Sequence, residues 1–301
     1  MSIPKKLLDA AIKNQTALDQ YGHGLNRKIQ KLLQSAENEI AGKIGFIDPT
    51  GPTMTAWRLG RLKALNQAIR DILSETFEQA ADVTKTGLIA VATLQADHAV
   101  SSFNKSVGVD LFQITLTPTN LQAVVENCLI DGRLIGDWWS KQGEDLRSRM
   151  VASMREGTTK IQTGMVQGES IGELIGRIRG SKTSPGVMSI SKRQAEALVR
   201  TSVMSVAGAA RMQTFKKNSD VLDGIEVVAT LDARTTPLCA ALDGRRFDLD
   251  GNALDGGSNK PAGPPFHWNC RSTLVPCCKS FSELVGPDSP LSKKQIRQLE
   301  K

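Results

Sequence analysis

Apolar residues recur at helical spacing over most of the chain. Across residues 5–43 they fall at Leu7, Leu8, Ala11, Ile12, Leu25, Ile29, Leu32, Leu33 and Ile40, the three-and-four rhythm of one helix face. Gly22 and Gly24 predict a break into two helices, because glycine weakens a helix interior. Residues 46–53 (FIDPTGPT) read as a turn, since Pro49 and Pro52 cannot continue a helix. A long helix is predicted over residues 55–80, with Trp57, Leu62, Leu65, Ile69, Ile72, Leu73 and Phe77 on one side. A second follows over residues 81–103.

Residues 110–117 (DLFQITLT) read as a short strand or extended link into Pro118. Thr119 is the predicted N-cap of a helix carrying Leu121, Val124, Val125 and Leu129, with Trp138 and Trp139 at its end. Another helix covers residues 146–166. Ser170 and Glu173 have capping-box spacing ahead of a short helix whose apolar face is Ile171, Leu174, Ile175 and Ile178. Residues 182–189 (KTSPGVMS) read as a linker. Ser191 then caps a predicted helix over residues 192–217, in which Ala207, Gly208, Ala209 and Ala210 permit close approach of a neighbouring helix.

After Asp220 the rhythm changes. GIEVVATLD is a strand run, RRFDLD and STLVP are shorter extended pieces, and Asp243-Gly244 reads as a β-turn between two strands. Residues 281–301 form a turn-rich tail ending in a charged helical stub. The predicted fold class is therefore mainly α, with a small C-terminal α+β module: long helices followed by short strands and a Cys/His-held loop region. The predicted division is a helical body (1–182), a linker and long alanine-rich helix (183–220), the module (221–280) and the tail (281–301).

Composition narrows the function classes. At 301 residues, 40% hydrophobic and 23% charged, the chain has the makeup of a soluble globular protein with a real core. Aromatics are 4%, with Tyr21 the single tyrosine, which disfavours a single-strand binder built on base stacking. The net charge of +7 is spread along the chain, so DNA contact is expected to be weak. The start has no apolar core of export-signal length. Stretches such as GLIAVATL fall short of the roughly 20 residues of a membrane span. Synthesis in a reducing compartment is expected, where clustered Cys and His more often mean metal than disulfide.

Four of the five cysteines and one of the three histidines lie between Asp232 and Cys278. His267 and Cys270 form an H-x-x-C pair that a tight turn would aim at one ion, and Cys239 supplies a third soft ligand. Zinc prefers such thiolate and imidazole donors in a tetrahedron. Where a C-x-x-C would place its first cysteine, the chain has Thr236; Asp232, Cys277, Cys278 or a water are candidates to complete the shell. The alternative is that Cys239 and Cys270 are small buried hydrophobes and His267 a turn histidine. A thiol nucleophile at Cys270, with His267 as base and Asp232 orienting it, is the catalytic alternative, but no oxyanion-hole signature accompanies it. Arg271 is predicted to pair with Asp232 or Asp243, or else to reach a phosphate. Trp138 and Trp139 are candidate interface anchors, or pack at a helix end. His98 is expected at the surface, His23 in an exposed helix break, and Cys128 in the core.

An ordered set of features runs from Ile171 to Pro276. It begins with the Ile/Leu-rich helix and continues with Arg200-Thr201-Ser202 opening an alanine-rich stretch to Ala209-Ala210-Arg211. Next come Leu231-Asp232, Arg234-Thr235, Cys239 and Leu242-Asp243-Gly244, then Pro264-Pro265-x-His267-x-x-Cys270-Arg271. This order resembles the phage head morphogenesis family, the minor head proteins like the F protein of phage Mu. The resemblance implies a tailed-phage virion protein in few copies, made in the host cytoplasm. It would associate with the portal protein and with the major capsid protein or other head proteins, away from membranes. Its role would be in head assembly and in DNA packaging or ejection. Relatives carry a second cysteine where this chain has Thr236. With about 25 residues after Pro276, no toxin or enzyme domain of the kind some relatives carry is expected. A DNA-binding accessory protein of the head is the alternative function, and a metal- or thiol-dependent hydrolase a more remote one; a non-enzymatic role with structural zinc is the expectation.

Overall fold

A computed structural model describes residues 3–45, 56–162, 171–180, 184–257, 263–280 and 283–284. The predicted turn at 46–53, the Ser170 cap, Lys182 and Thr183 of the linker, the C-terminal stub, and the side chains of Trp57 and Leu62 lie outside the described residues.

Helices α1 (Ile3–Gly45) and α2 (Ala56–Val107) each run unbroken, where the sequence pattern predicts two helices apiece. A mid-helix glycine costs about 1 kcal/mol, whereas full burial of one leucine or isoleucine is worth roughly 2 kcal/mol. The buried stripe of α1 continues from Leu18 to Leu25, Ile29, Leu33 and Ile40, on both sides of the glycines. In α2 the stripe likewise passes through Phe77, Ala80, Thr84 and Leu88 without a break.

Helix α3 (Pro118–Glu126) is capped by Thr117, not by Thr119: the Asn120 N–H donates to Thr117 Oγ1 at 3.2 Å, and the Asn120 side chain closes the box. Proline lacks an N–H and has a helix-like φ, so it takes the first helical position and sets the cap one residue earlier. Two-residue strands β1 (Leu129–Ile130) and β2 (Arg133–Leu134) follow. Helix α4 (Ile135–Gln162) then begins ahead of Trp138 and Trp139, which lie in its first turns rather than at the end of the preceding helix. After α5 (Ile171–Arg179), helix α6 (Val187–Lys217) starts directly after Pro185-Gly186, so Ser191 is a buried interior residue and not the cap.

The remainder is the small α+β module. A 3-10 turn (Ser219–Val221) leads into β3 (Leu222–Val228), then α7 (Pro237–Leu242), β4 (Arg246–Phe247) and β5 (Thr273–Cys278). The sheet is antiparallel in the order β4-β3-β5, with Val228 opposite Thr273 and Ile225 opposite both Phe247 and Pro276. The predicted strand ends at Val228 instead of Asp232. The piece before Asp243-Gly244 is helical, because Thr236 caps it and Pro237 opens it. Among the described residues the chain is thus mainly helical, with a small α+β module near its C-terminus.

Two compact units are present. The first takes Met1–Gly22, Gly87–Ile130 and Arg200–Lys301; the second takes His23–Thr86 and Asp131–Val199. In the first, Phe103 stacks on Phe112 at 3.9 Å and Phe112 meets Phe215 edge-on. Ile225, Val227, Phe247 and Leu274 of the sheet join this cluster, with Leu7 and Ala11 of α1. In the second, Trp139 is fully buried with its ring 6.3 Å from Phe77. There the buried Glu37 carboxylate takes ion pairs from Lys192 and Arg179.

Candidate metal centre

Two short segments of the module bring the soft donors together. Thr236 caps α7 by accepting the Cys239 N–H at 3.3 Å, which fixes Cys239 in the first turn with its side chain buried. The second segment is a tight turn in which the Cys270 N–H donates to the His267 carbonyl at 3.1 Å. Asn269 takes a left-handed conformation there (φ 59°), one that asparagine tolerates better than most residues.

Helix α6 braces this turn at two points of one face. The Asn269 N–H donates to Thr201 Oγ1 at 3.1 Å. Seven residues on, a Cβ on Gly208 would lie 2.5 Å from the Pro264 carbonyl oxygen. Gly208 of α6 therefore admits the loop ahead of His267. One turn later, the buried Arg211 donates to the Thr273 hydroxyl and to the Ala207 carbonyl.

Within this frame Cys239 Sγ lies 3.1 Å from His267 Nε2 and 3.7 Å from Cys270 Sγ. The three donor atoms all fall within 4.8 Å of one another. His267 Nδ1 donates to the Trp268 carbonyl at 2.8 Å, which fixes the tautomer and leaves the Nε2 lone pair facing the thiols. Both cysteines are free and buried. Burial opposes ionisation of Cys239, yet contacts with the Ser272 and Thr236 hydroxyls, His267 and Cys270 outweigh it and hold this thiol below its ordinary range. Burial pushes the Cys270 thiol up, and the nearby Cys239 adds to it, against the backbone N–H groups of Phe266 and Ser272. Two thiols and an imidazole of set tautomer form a donor set suited to zinc rather than to magnesium or calcium.

Asp232 is not among these converging donors. Both of its oxygens accept from Arg271 at 2.6 Å, and Arg234 lies alongside at 3.6 Å. Arg271 is thereby engaged in the intramodule ion pair. Cys277 and Cys278 are half-buried near the far end of β5, with Arg246 against Cys277. Trp139 is buried in the core, while Trp138 is half-buried beneath the Arg133 guanidinium at 5.2 Å. Cys128 is buried, as expected. His98 is half-buried, not on the surface: burial, then the positive charge of Arg211, lowers its pKa. His23 is exposed, but within an unbroken helix. Ser272 and the Trp268 carbonyl also belong to the site, and Thr201, part of the motif that opens the alanine-rich stretch, braces it. Of the first two, only Ser272 carried a signal, its position two residues after Cys270.

The family model described as Phage Mu protein F like protein matches residues 157–275. The stretch contains α5, α6, Cys239 and the His267–Cys270 turn, so the resemblance read from the order of these residues is found there. No curated protein and no solved structure matches the chain.

Proposed function

We propose that this chain is a minor head protein of a tailed bacteriophage, present in few copies at the portal vertex and acting in head morphogenesis and DNA packaging or ejection. The observation that carries the reading is the phage Mu F-like match over residues 157–275, which spans the bracing helix and the whole Cys/His cluster. Its partners on this reading are the portal protein and the major capsid protein or other head proteins, with DNA touched weakly. The modest charge of +7 supports that last point. No described helix is long and apolar enough to cross a membrane, in keeping with a place in the phage head.

The Cys239, His267 and Cys270 cluster acts in this proposal as a structural zinc site and not as a catalytic one. Two buried thiolates are costly without a compensating cation, and a zinc ion would join α7 to the loop before β5. A non-catalytic role is supported by the hydrogen bonds already made. Asp232 is held by Arg271 and His267 Nδ1 faces a carbonyl, so no carboxylate orients the imidazole as a base.

Two measurements test the reading. Sedimentation of assembled heads, with stoichiometry against the portal, is expected to find a few copies per particle; recovery only as free protein in the lysate would overturn it. Elemental analysis of the purified chain is expected to give one zinc per molecule, lost in Cys270→Ala.

A further inference from the structure

A tetrahedral zinc needs four donors, and the cluster brings together three soft ones. The side chains that sequence spacing offers as a fourth donor are engaged elsewhere or distant, which leaves a water or another hydroxyl. Asp232 gives both oxygens to Arg271. Thr236 Oγ1 accepts the Cys239 N–H as the helix cap. Cys277 stands five residues along the chain from Ser272, and at about 3.3 Å per residue in a strand this is roughly 16 Å away.

Ser272 differs from all of these. The residue is 3% exposed. The hydroxyl lies against both the Cys239 and the Cys270 thiols, and among the described residues no other group pairs with it. Thiols are weak hydrogen-bond partners, so a buried hydroxyl with only thiols beside it is poorly satisfied. Its neighbour in sequence, Thr273, is fixed by Arg211 and by the pairing with Val228, so Ser272 is held directly before β5, beside the sulfurs.

We propose that the Ser272 hydroxyl is the fourth ligand, completing a Cys239, Cys270, His267 and Ser272 shell for zinc or a like divalent ion. The inference rests on the metal reading above. The hydroxyl coordinates as a neutral oxygen, while the two thiols release their protons to solvent as the metal enters. Such a set carries one less thiolate than a site with cysteine at position 236, and it holds the ion less tightly and with less charge.

Cobalt(II) loading tests it, because visible bands report coordination geometry and the near-ultraviolet thiolate bands report the number of sulfur ligands. Wild-type protein is expected to show a four-coordinate, two-thiolate spectrum. Ser272→Ala should weaken cobalt and zinc binding at least tenfold in chelator competition, a magnitude typical of an altered metal shell, and change the visible bands. Ser272→Cys should tighten binding and raise the thiolate bands by about half, as two sulfurs become three. Cys277→Ser, near the far end of β5, should leave spectrum and affinity as in the wild type. An S272A protein with the wild-type spectrum and affinity overturns the assignment, as does an S272C protein without the added thiolate intensity. If the wild-type chain takes up neither cobalt nor zinc, the metal reading itself falls and this inference falls with it.

Discussion

Arg271 closes on Asp232 across 39 residues of chain: Nη1 donates to Oδ2 and Nη2 to Oδ1, both at 2.6 Å. The pair ties the loop leaving β3 to the residue directly after Cys270. It therefore fastens the segment that presents the His267–Cys270 turn. Two parallel charge-assisted bonds give this contact a fixed geometry that a single lysine contact would lack.

The pair sets a pH dependence. The Arg271 guanidinium, then the Arg234 backbone N–H, hold the Asp232 carboxyl well below the usual carboxylate range. A depressed folded-state pKa contributes stability above the unfolded value of about 3.9, and the contribution is lost as pH falls through the folded value. Asp232→Asn is expected to lower the thermal midpoint by a constant amount between pH 7 and about pH 5. The gap to wild type should shrink below about pH 4. Melting curves across that range check it; a gap that widens on acidification contradicts the linkage.

Gly208 is predicted to be indispensable for its lack of a side chain. An alanine gains up to about 1 kcal/mol of intrinsic helix propensity, but its Cβ would meet the Pro264 carbonyl oxygen at 2.5 Å. Backbone cannot yield as a flexible side-chain tip does, so the clash decides the sign. Gly208→Ala is expected to destabilise the chain by about 1–3 kcal/mol in denaturant unfolding, and to loosen metal retention. An unchanged midpoint would show that the loop moves aside freely.

The opposite outcome is expected at Gly22 and Gly24. An added Cβ meets nothing within 4 Å at either position, and α1 passes through both. Gly22→Ala and Gly24→Ala should each stabilise by about 1 kcal/mol; a loss of helicity or stability would mean that the chain needs a bend there.

These glycines also mark the limit of what the sequence made legible. The long helices, the sheet and the Cys239, His267 and Cys270 trio were readable because periodicity and ligand spacing are local signals. Helix continuity at Gly22 and Ala80 was not, because it depends on apolar stripes finding buried surface on both sides of the weak point. The cap at Thr117 was missed by two residues because Pro118 shifts the helix start. Ser272 and the Gly208–Pro264 contact were invisible because each depends on chain segments distant in sequence meeting in the fold.

Metal removal should act on the module and leave the long helices standing. A ligand bound only by the folded state stabilises by RT ln(1 + [L]/Kd), about 2.7 kcal/mol at a hundredfold excess over Kd. Chelation of the purified protein is therefore expected to lower its thermal midpoint, with far-ultraviolet circular dichroism at 25 °C nearly unchanged. The core around Phe77 and Trp139 is apolar and is built from the second unit's own residues. Proteolysis should then cut first between Asp232 and Cys270, where the thiols and the imidazole no longer share an ion. Cys270→Ala should already melt at the lowered temperature and respond no further to chelator. A chelator effect of full size in that variant would place the stabilising metal elsewhere, and collapse of the helical signal on chelation would mean that the ion supports the whole chain.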